Sequence, residues 1–270
     1  MTYTGLHKVL LTALLSCALY LMLFSQMLHA TGFEHMPKKQ FNVLVFSKTA
    51  GWHHPSILSG VKAIQQLGDK HFFNVVWHEE SRYFNDDYLK QVDVVVFLAT
   101  TGDVLNDTEQ AAFERYIKQG KGFVGIHSAT DTEYDWPWYQ QLVGHTFVIH
   151  PEIQTARLQV ESRQFPGVES MPDSLLWTDE WYDFTVARNP KLHYILSVDE
   201  KSYDTHSDWG TKQGKGMGEF HPIAWYQEYD GGRAFYTALG HTDAVYQDVL
   251  FQAHLYGGIY WAATGKGITR

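Results

Sequence analysis

Apolar residues fall in short blocks along the chain, and the period within each block tells strand from helix. "FNVLVFS" (41–47) is a compact apolar run of strand type, and "SILSGVKAIQQLG" (56–68) has helical spacing with Gly68 expected as its stop. "FFNVVWH" (72–78) reads as a second strand. "VDVVVFLAT" (92–100) reads as a third, apolar enough to be covered on both faces, as strands of a parallel sheet are. "NDTEQAAFERYIKQG" (106–120) carries an Asn or Asp cap and a closing Gly120, so it predicts a helix, and the sequon Asn106-Asp107-Thr108 is read as that helix start. "GFVGIHS" (122–128) is the fourth strand. Strand–helix alternation with short links implies an α/β fold, an open, mostly parallel sheet flanked by helices.

Beyond residue 150 the pattern turns β-rich. "TARLQVES", "HYILSVDE", "HPIAWYQEY" and "GRAFYTALG" read as strands, and Tyr229-Asp230-Gly231-Gly232 between the last two is a hairpin turn. "VLFQAHLYGGIYWAAT" (249–264) predicts a closing helix despite Gly257 and Gly258. No linker divides these parts, so a single domain with an elaborated second half is expected.

Ligands of open α/β sheets bind beyond the carboxyl ends of the strands. At those ends this chain places His54 with Lys48, Thr49, Trp52 and His53; then Thr101 with Thr100 and Asp103; then His127, Ser128 and Asp131; and finally His241, Thr242 and Asp243. Four separate segments therefore bring polar groups to one edge. "FVGIHSATDTEY" shows the transition most sharply, a buried strand running directly into side chains that bind and transfer protons.

The stretches "KTAGWHH", "TTGDVLN", "GFVGIHSATDTEYDWPWY", "VGHTFVIHP", "DEWYDF", "MGEFHPIAWYQEYDGGRAFYTALGHT" and "LYGGIYWAATGK" resemble the ThuA-like (trehalose utilisation) family, over a domain of residues 41–266. The resemblance implies a flavodoxin-like, class I glutamine amidotransferase-like fold and a carbohydrate-sized ligand. In such amidotransferases the fourth strand ends in a tight turn presenting a cysteine, and a later His-x-Glu completes a triad. Here His127 stands in the cysteine's place, while His241 and Asp243 of "GHTD" resemble the His-x-acid pair. Thioester chemistry is thus excluded. Ser128 with His241 as base is an alternative nucleophile, although no Gly-x-Ser-x-Gly surrounds it.

Composition narrows the chemistry further. The chain has 15 His and one Cys, Cys17, which lies in the N-terminal apolar run, so any metal must be held by His, Asp, Glu and water. The expected catalytic residues are His127, His241, Asp243 and Glu180, acting by proton transfer, with His127, His150 and His241 as candidate ligands of a divalent metal such as zinc. Expected substrate contacts are His54, Thr101, Ser128, Asp131, Tyr134, Trp181, Tyr182 and His221; Glu180, Trp181 and Tyr182 are read as a wall for a sugar ring, with packing of the second-half sheet as the other reading, and Asp131 has a second reading as a helix cap. Glu180 and Asp243 would also serve as the two acids of a glycosidase. With 9 Trp, 16 Tyr and 16 Phe the chain has rings to spare for stacking on sugars, and its net charge of −9 without a basic cluster argues against nucleic acid. Two functions are expected: an enzyme acting on a sugar or keto-disaccharide, or a non-catalytic carbohydrate-binding or sensing domain. Lys8 followed by an apolar run to Ala30 predicts a signal peptide or membrane anchor over residues 1–30, hence an exported, periplasmic protein touching membrane only there.

Overall fold

A computed structural model describes residues 32–269. The leader expected over residues 1–30, Cys17 included, lies outside the described residues; among those described, no helix is long and apolar enough to cross a membrane. The chain divides into two units, Met1–Lys38 and Lys39–Arg270. In the first, the described residues form a 3-10 turn at Phe33–His35. Everything that follows concerns the second.

Its first half alternates β1 (Asn42–Phe46), α1 (Ile57–His71), β2 (Asn74–His78), β3 (Val94–Leu98), α2 (Asp107–Lys118), β4 (Gly122–Ile126) and α3 (Pro137–Val143). Strands β5 (Phe147–Ile149), β6 (Gln154–Val160), β7 (Ser174–Asp179), β8 (Asp183–Phe184) and β9 (His193–Asp199) follow. The chain then forms β10 (Ser207–Asp208), β11 (Gln213–Gly214), β12 (His221–Tyr229), β13 (Gly232–Thr237) and α4 (Val249–Thr264). Nine strands build one sheet in the order β2-β1-β3-β4-β13-β12-β9-β6-β7. The pairings from β2 to β13 are parallel, and those from β13 to β7 are antiparallel. The sheet is therefore mixed, and the mostly parallel character expected for the whole holds only for its first half.

Both faces are covered, as the apolar runs required. On β4, Phe123 packs against Phe113 of α2 and Tyr139 of α3. Gly122 is its neighbour along the strand and so points to the other face. There α4 comes so close that an added Cβ would lie 2.5 Å from the Ala262 carbonyl oxygen, which is why this position is glycine. Helix α1 packs beside α4 on that face. It does not stop at Gly68: it continues to His71, and Phe72 takes the left-handed C-cap with φ 60°. Gly68 serves instead for close approach, because its Cβ would meet Val75 at 2.8 Å. The start of α2 is as predicted, with Asn106 and Glu109 forming a capping box.

Strand β7 is an element the pattern did not predict, and it decides the site. Four strand spacings separate β13 from β7, about 19 Å in a flat sheet. Yet Asp179, the last residue of β7, accepts a hydrogen bond of 2.9 Å from the Gly240 N–H, three residues beyond β13. The antiparallel half thus curls back over the carboxyl edge, and Trp177 of β7 meets Phe251 of α4.

Candidate functional site

Strand β4 delivers His127 at its carboxyl end, fully buried and with φ 55°. A left-handed conformation costs a non-glycine residue about 1–2 kcal/mol, so it persists only where its surroundings over-determine it. Two contacts do so here. The Tyr236 hydroxyl donates to the His127 carbonyl at 2.6 Å, and His127 Nδ1 lies 2.8 Å from the Ala238 carbonyl. A carbonyl only accepts, so Nδ1 carries a proton and Nε2 is the nitrogen turned toward the other side chains of the site. That nitrogen sits 2.9 Å from the Tyr182 hydroxyl, 3.2 Å from His241 Nδ1 and 3.4 Å from Glu180 Oε2.

His241 follows β13 in the turn that Asp179 holds. The Asp179 carboxylate accepts from the Gly240, His241 and Glu180 N–H groups at 2.9, 3.0 and 3.0 Å, which fixes the backbone of both His241 and Glu180. Burial still pushes the Asp179 carboxyl up. Glu180 Oε2 then lies 2.9 Å from His241 Nδ1. Burial alone would raise the Glu180 carboxyl, but the His127 and His241 imidazoles outweigh it and hold Glu180 well below the usual range. Burial likewise opposes charge on His241, and Glu180 overcomes it, raising His241. Although close to two ring nitrogens, Glu180 Oε2 is buried and receives no aligned hydrogen bond from the described residues.

His54, from the loop after β1, completes the group. Burial, then the neighbouring His127 and His241, push it down to about 2, so it stays neutral. Its Nδ1 is 3.4 Å from Ser128 Oγ, and its ring stands edge-on to those of His127 and His241. One ligand atom each from His54, His127, Glu180 and His241 falls within 4.8 Å of the others.

Above this group opens a cleft of about 570 Å³, a volume suited to a small-molecule ligand. His54, Glu180, His241 and Tyr182 line it toward the cluster; Phe147, His150 and Asp131 contribute to its walls. Trp52 and Trp209, exposed by 68% and 48%, are also part of the lining, with Lys212 beside them. Trp209 sits in the β10–β11 hairpin, where its N–H donates to the Lys212 carbonyl, and its ring packs edge-on to His150. Two other cavities, one against Tyr256 and Tyr260 of α4 and one beside Asp199 and Glu200, do not reach the cluster.

The structure brings together His54, His127, Glu180, His241 and Tyr182, with Ser128 beneath and Asp131 at the side. Other expected site residues lie elsewhere. Asp243 is exposed and does not line the cleft, so the acid beside His241 is Glu180, and of the expected Glu180–Asp243 glycosidase pair only Glu180 lines the cleft. Trp181 is fully buried, its N–H donating to the Gln154 carbonyl, and forms no sugar wall. His221 is buried behind Tyr182, between the Tyr182 carbonyl and the Glu200 carboxylate. Thr101 is buried and donates to the Trp52 carbonyl, so it shapes the His54 loop rather than lining the cleft. Tyr134 donates to Asp131 at 2.5 Å. Asp131 does not cap the helix that follows, since α3 begins at Pro137 with Trp136 before it. His150 lines the cleft but stands outside the four-residue cluster: its Nδ1 donates to the Pro151 carbonyl and its Nε2 is 3.6 Å from Glu180 Oε1. His127 itself is sealed under the cleft floor and does not line it. Asp179, Trp209 and Lys212 were not foreseen.

The sequence model of the ThuA family, described as trehalose utilisation, matches residues 42–262. Among solved structures, a ThuA-like protein from Bacteroides uniformis is similar at 22% identity and TM-score 0.69, covering 85% of this chain and 94% of that one. A second, from Parabacteroides merdae, is similar at 21% identity and TM-score 0.65, covering 85% and 92%. A β-galactosidase from Bacillus circulans sp. alkalophilus shares the fold at 13% identity and TM-score 0.51, over 86% of this chain but 32% of its own length. No curated protein matches the sequence.

Proposed function

The chain belongs to the ThuA family of trehalose utilisation, and we propose that it is an enzyme acting on a sugar, with an oxidised (keto) disaccharide or glycoside as substrate. The observation that carries this reading is the convergence of His54, His127, Glu180 and His241 from four strand-end segments beneath a cleft lined by two exposed tryptophans. Indole faces stack on the apolar face of a pyranose, and the imidazoles and carboxylate supply groups that transfer protons.

A ketone on the sugar ring makes that equipment sufficient. A base removes the proton from the carbon next to the carbonyl, and the electron pair forms a double bond conjugated with it. The glycosidic oxygen, if it lies on the next carbon, leaves with its bond pair and takes a proton from an acid. Return of a proton to a different carbon gives isomerisation instead. Neither route needs two carboxylates across the bond. In this reading His150, which lines the cleft, takes the proton, and Tyr182 hydrogen-bonds the sugar oxygen. The basic start and apolar run of residues 1–30 support action outside the cytoplasm, with membrane contact confined to that segment.

Incubation with trehalose, other glucosides and their oxidised forms, followed by product analysis, tests the reading. Wild-type protein is expected to release product from an oxidised sugar. His241→Ala and His54→Ala are expected to lower turnover by about 100-fold or more while remaining folded. Retained turnover in both variants would remove this chemistry. The exposed Trp52 and Trp209 also favour a second reading, a non-catalytic carbohydrate-binding or sensing domain, which predicts binding of the same sugars with no product.

A further inference from the structure

We propose that His127 Nε2, His241 Nδ1 and Glu180 Oε2 form a site for one divalent transition-metal ion of the zinc type. The three atoms come from the ends of β4, β13 and β7, and their separations are 3.2 Å (His127–His241), 3.4 Å (His127–Glu180) and 2.9 Å (His241–Glu180). A tetrahedral ion bound at 2.0–2.1 Å sets its ligand atoms about 3.3 Å apart. The triangle therefore has the size of one face of that tetrahedron. Two imidazole nitrogens and one carboxylate oxygen are a donor set for zinc and its neighbours, not for calcium or magnesium, which take oxygen.

Three further features point the same way. The Ala238 carbonyl holds the Nδ1 proton of His127 and leaves Nε2 as the nitrogen to ligate, the arrangement by which proteins orient metal-binding histidines. Without an ion the polar groups are mismatched. The Tyr182 hydroxyl and His241 Nδ1 both approach the single lone pair of His127 Nε2, while buried Glu180 Oε2 has no aligned donor. A cation between the three atoms accepts a lone pair from each. Finally, the backbone behind every ligand is fixed before any ion binds: His127 in a left-handed turn, Glu180 and His241 by the one Asp179 carboxylate. His54, whose ring nitrogen completes the 4.8 Å group, borders the remaining coordination position, and Glu180 and His241 open that side to the cleft.

The ion deepens the enzymatic reading above and rests on it for its use: bound there, it would polarise a sugar carbonyl or lower the pKa of a water molecule. His127, which does not reach the cleft, thereby gains a part in the chemistry through the metal.

Untagged full-length protein, stripped with chelator and dialysed, is titrated with Zn²⁺ and Co²⁺ alone. Elemental analysis and the visible absorption of Co²⁺ read the result. About one ion per chain is expected, with Glu180→Gln and His241→Ala binding at least about 100-fold more weakly. Glu180→Gln keeps the side chain's shape, and circular dichroism checks that it folds. Folded wild-type protein that takes up less than about a tenth of an equivalent, or variants that bind as wild type does, would overturn the site. Uptake of the ion with no turnover of any sugar would leave the site standing and count against the enzymatic reading. Turnover that survives removal of the metal would leave the enzymatic reading standing and overturn the ion's part in its chemistry.

Discussion

Asp179 is the residue on which the geometry of both Glu180 and His241 depends, and replacing it by alanine is a sharp test of how the site is built. Asp179→Ala removes the acceptor of three backbone N–H groups, at 2.9 Å from Gly240 and 3.0 Å from His241 and Glu180. A buried donor left without a partner costs about 1–3 kcal/mol. The Glu180 N–H belongs to the next residue and can relax, and His241 is partly accessible to water. Two long-range bonds at the lower end of that range, less the relief of no longer burying a carboxylate, give a net loss of about 1–2 kcal/mol. For a unit of this size each kcal/mol lowers Tm by about 2–4 °C, so thermal unfolding is expected to shift down by about 2–8 °C. Asp179→Asn keeps one acceptor oxygen and is expected to lose about half as much. Both variants are expected to lose sugar turnover, because the backbone of His241 and Glu180 is no longer fixed. A Tm for Asp179→Ala within about 1 °C of wild type would show that the curled-over β7 does not depend on this carboxylate.

His254 on α4 is fully buried with neither ring nitrogen paired among the described residues, and burial pushes it down to about 3; burial also lowers His145, to about 4. Between these values and the ordinary 6.5 the unfolded chain binds more protons, so stability falls as pH drops through that window. His254→Leu is expected to flatten the acid limb of the stability profile, and an unchanged profile in denaturant melts would contradict the assignment. Gly122→Ala, whose Cβ would lie 2.5 Å from the Ala262 oxygen, is expected to destabilise the protein by at least about 1–3 kcal/mol in the same melts; a neutral effect would mean that α4 yields easily. Trp209→Ala is expected to weaken sugar binding by about tenfold, or 1.4 kcal/mol, measured calorimetrically, without lowering Tm. Unaltered affinity would remove Trp209 from the ligand surface.

Much of this was legible in the sequence where the information is local. Val94–Leu98 is apolar throughout and every residue of it is buried, so the run alone identifies a covered parallel strand. His127 and His241 follow such strands, and the polar character of the loops betrays them. The partner of His241 was not local. Asp243 stands two residues away in the sequence and is exposed, whereas the carboxylate that fixes the turn comes from 62 residues earlier. Strand β7, "SLLWTD", escaped notice because it is an edge strand whose first half faces solvent, with Leu176 exposed by 67%. Period alone explains the error at Trp181. Successive side chains of an extended chain point to opposite sides, so Glu180 and Tyr182 reach the cleft and the residue between them turns inward. Gly68 looked like a helix stop because glycine usually is one there; close packing against Val75 requires it for another reason. The Trp209 hairpin lies between strands of two residues each, too short to carry any pattern.

The most direct measurement follows the hydrogen next to the carbonyl of an oxidised disaccharide in D₂O by proton NMR. A site that moves protons at that carbon exchanges its hydrogen for deuterium, with or without cleavage of the glycosidic bond. The account predicts exchange with wild-type protein and its loss in His241→Ala and Glu180→Gln. Tight binding of the sugar with its hydrogen fully retained would mean that the cleft holds its ligand and does no chemistry on it.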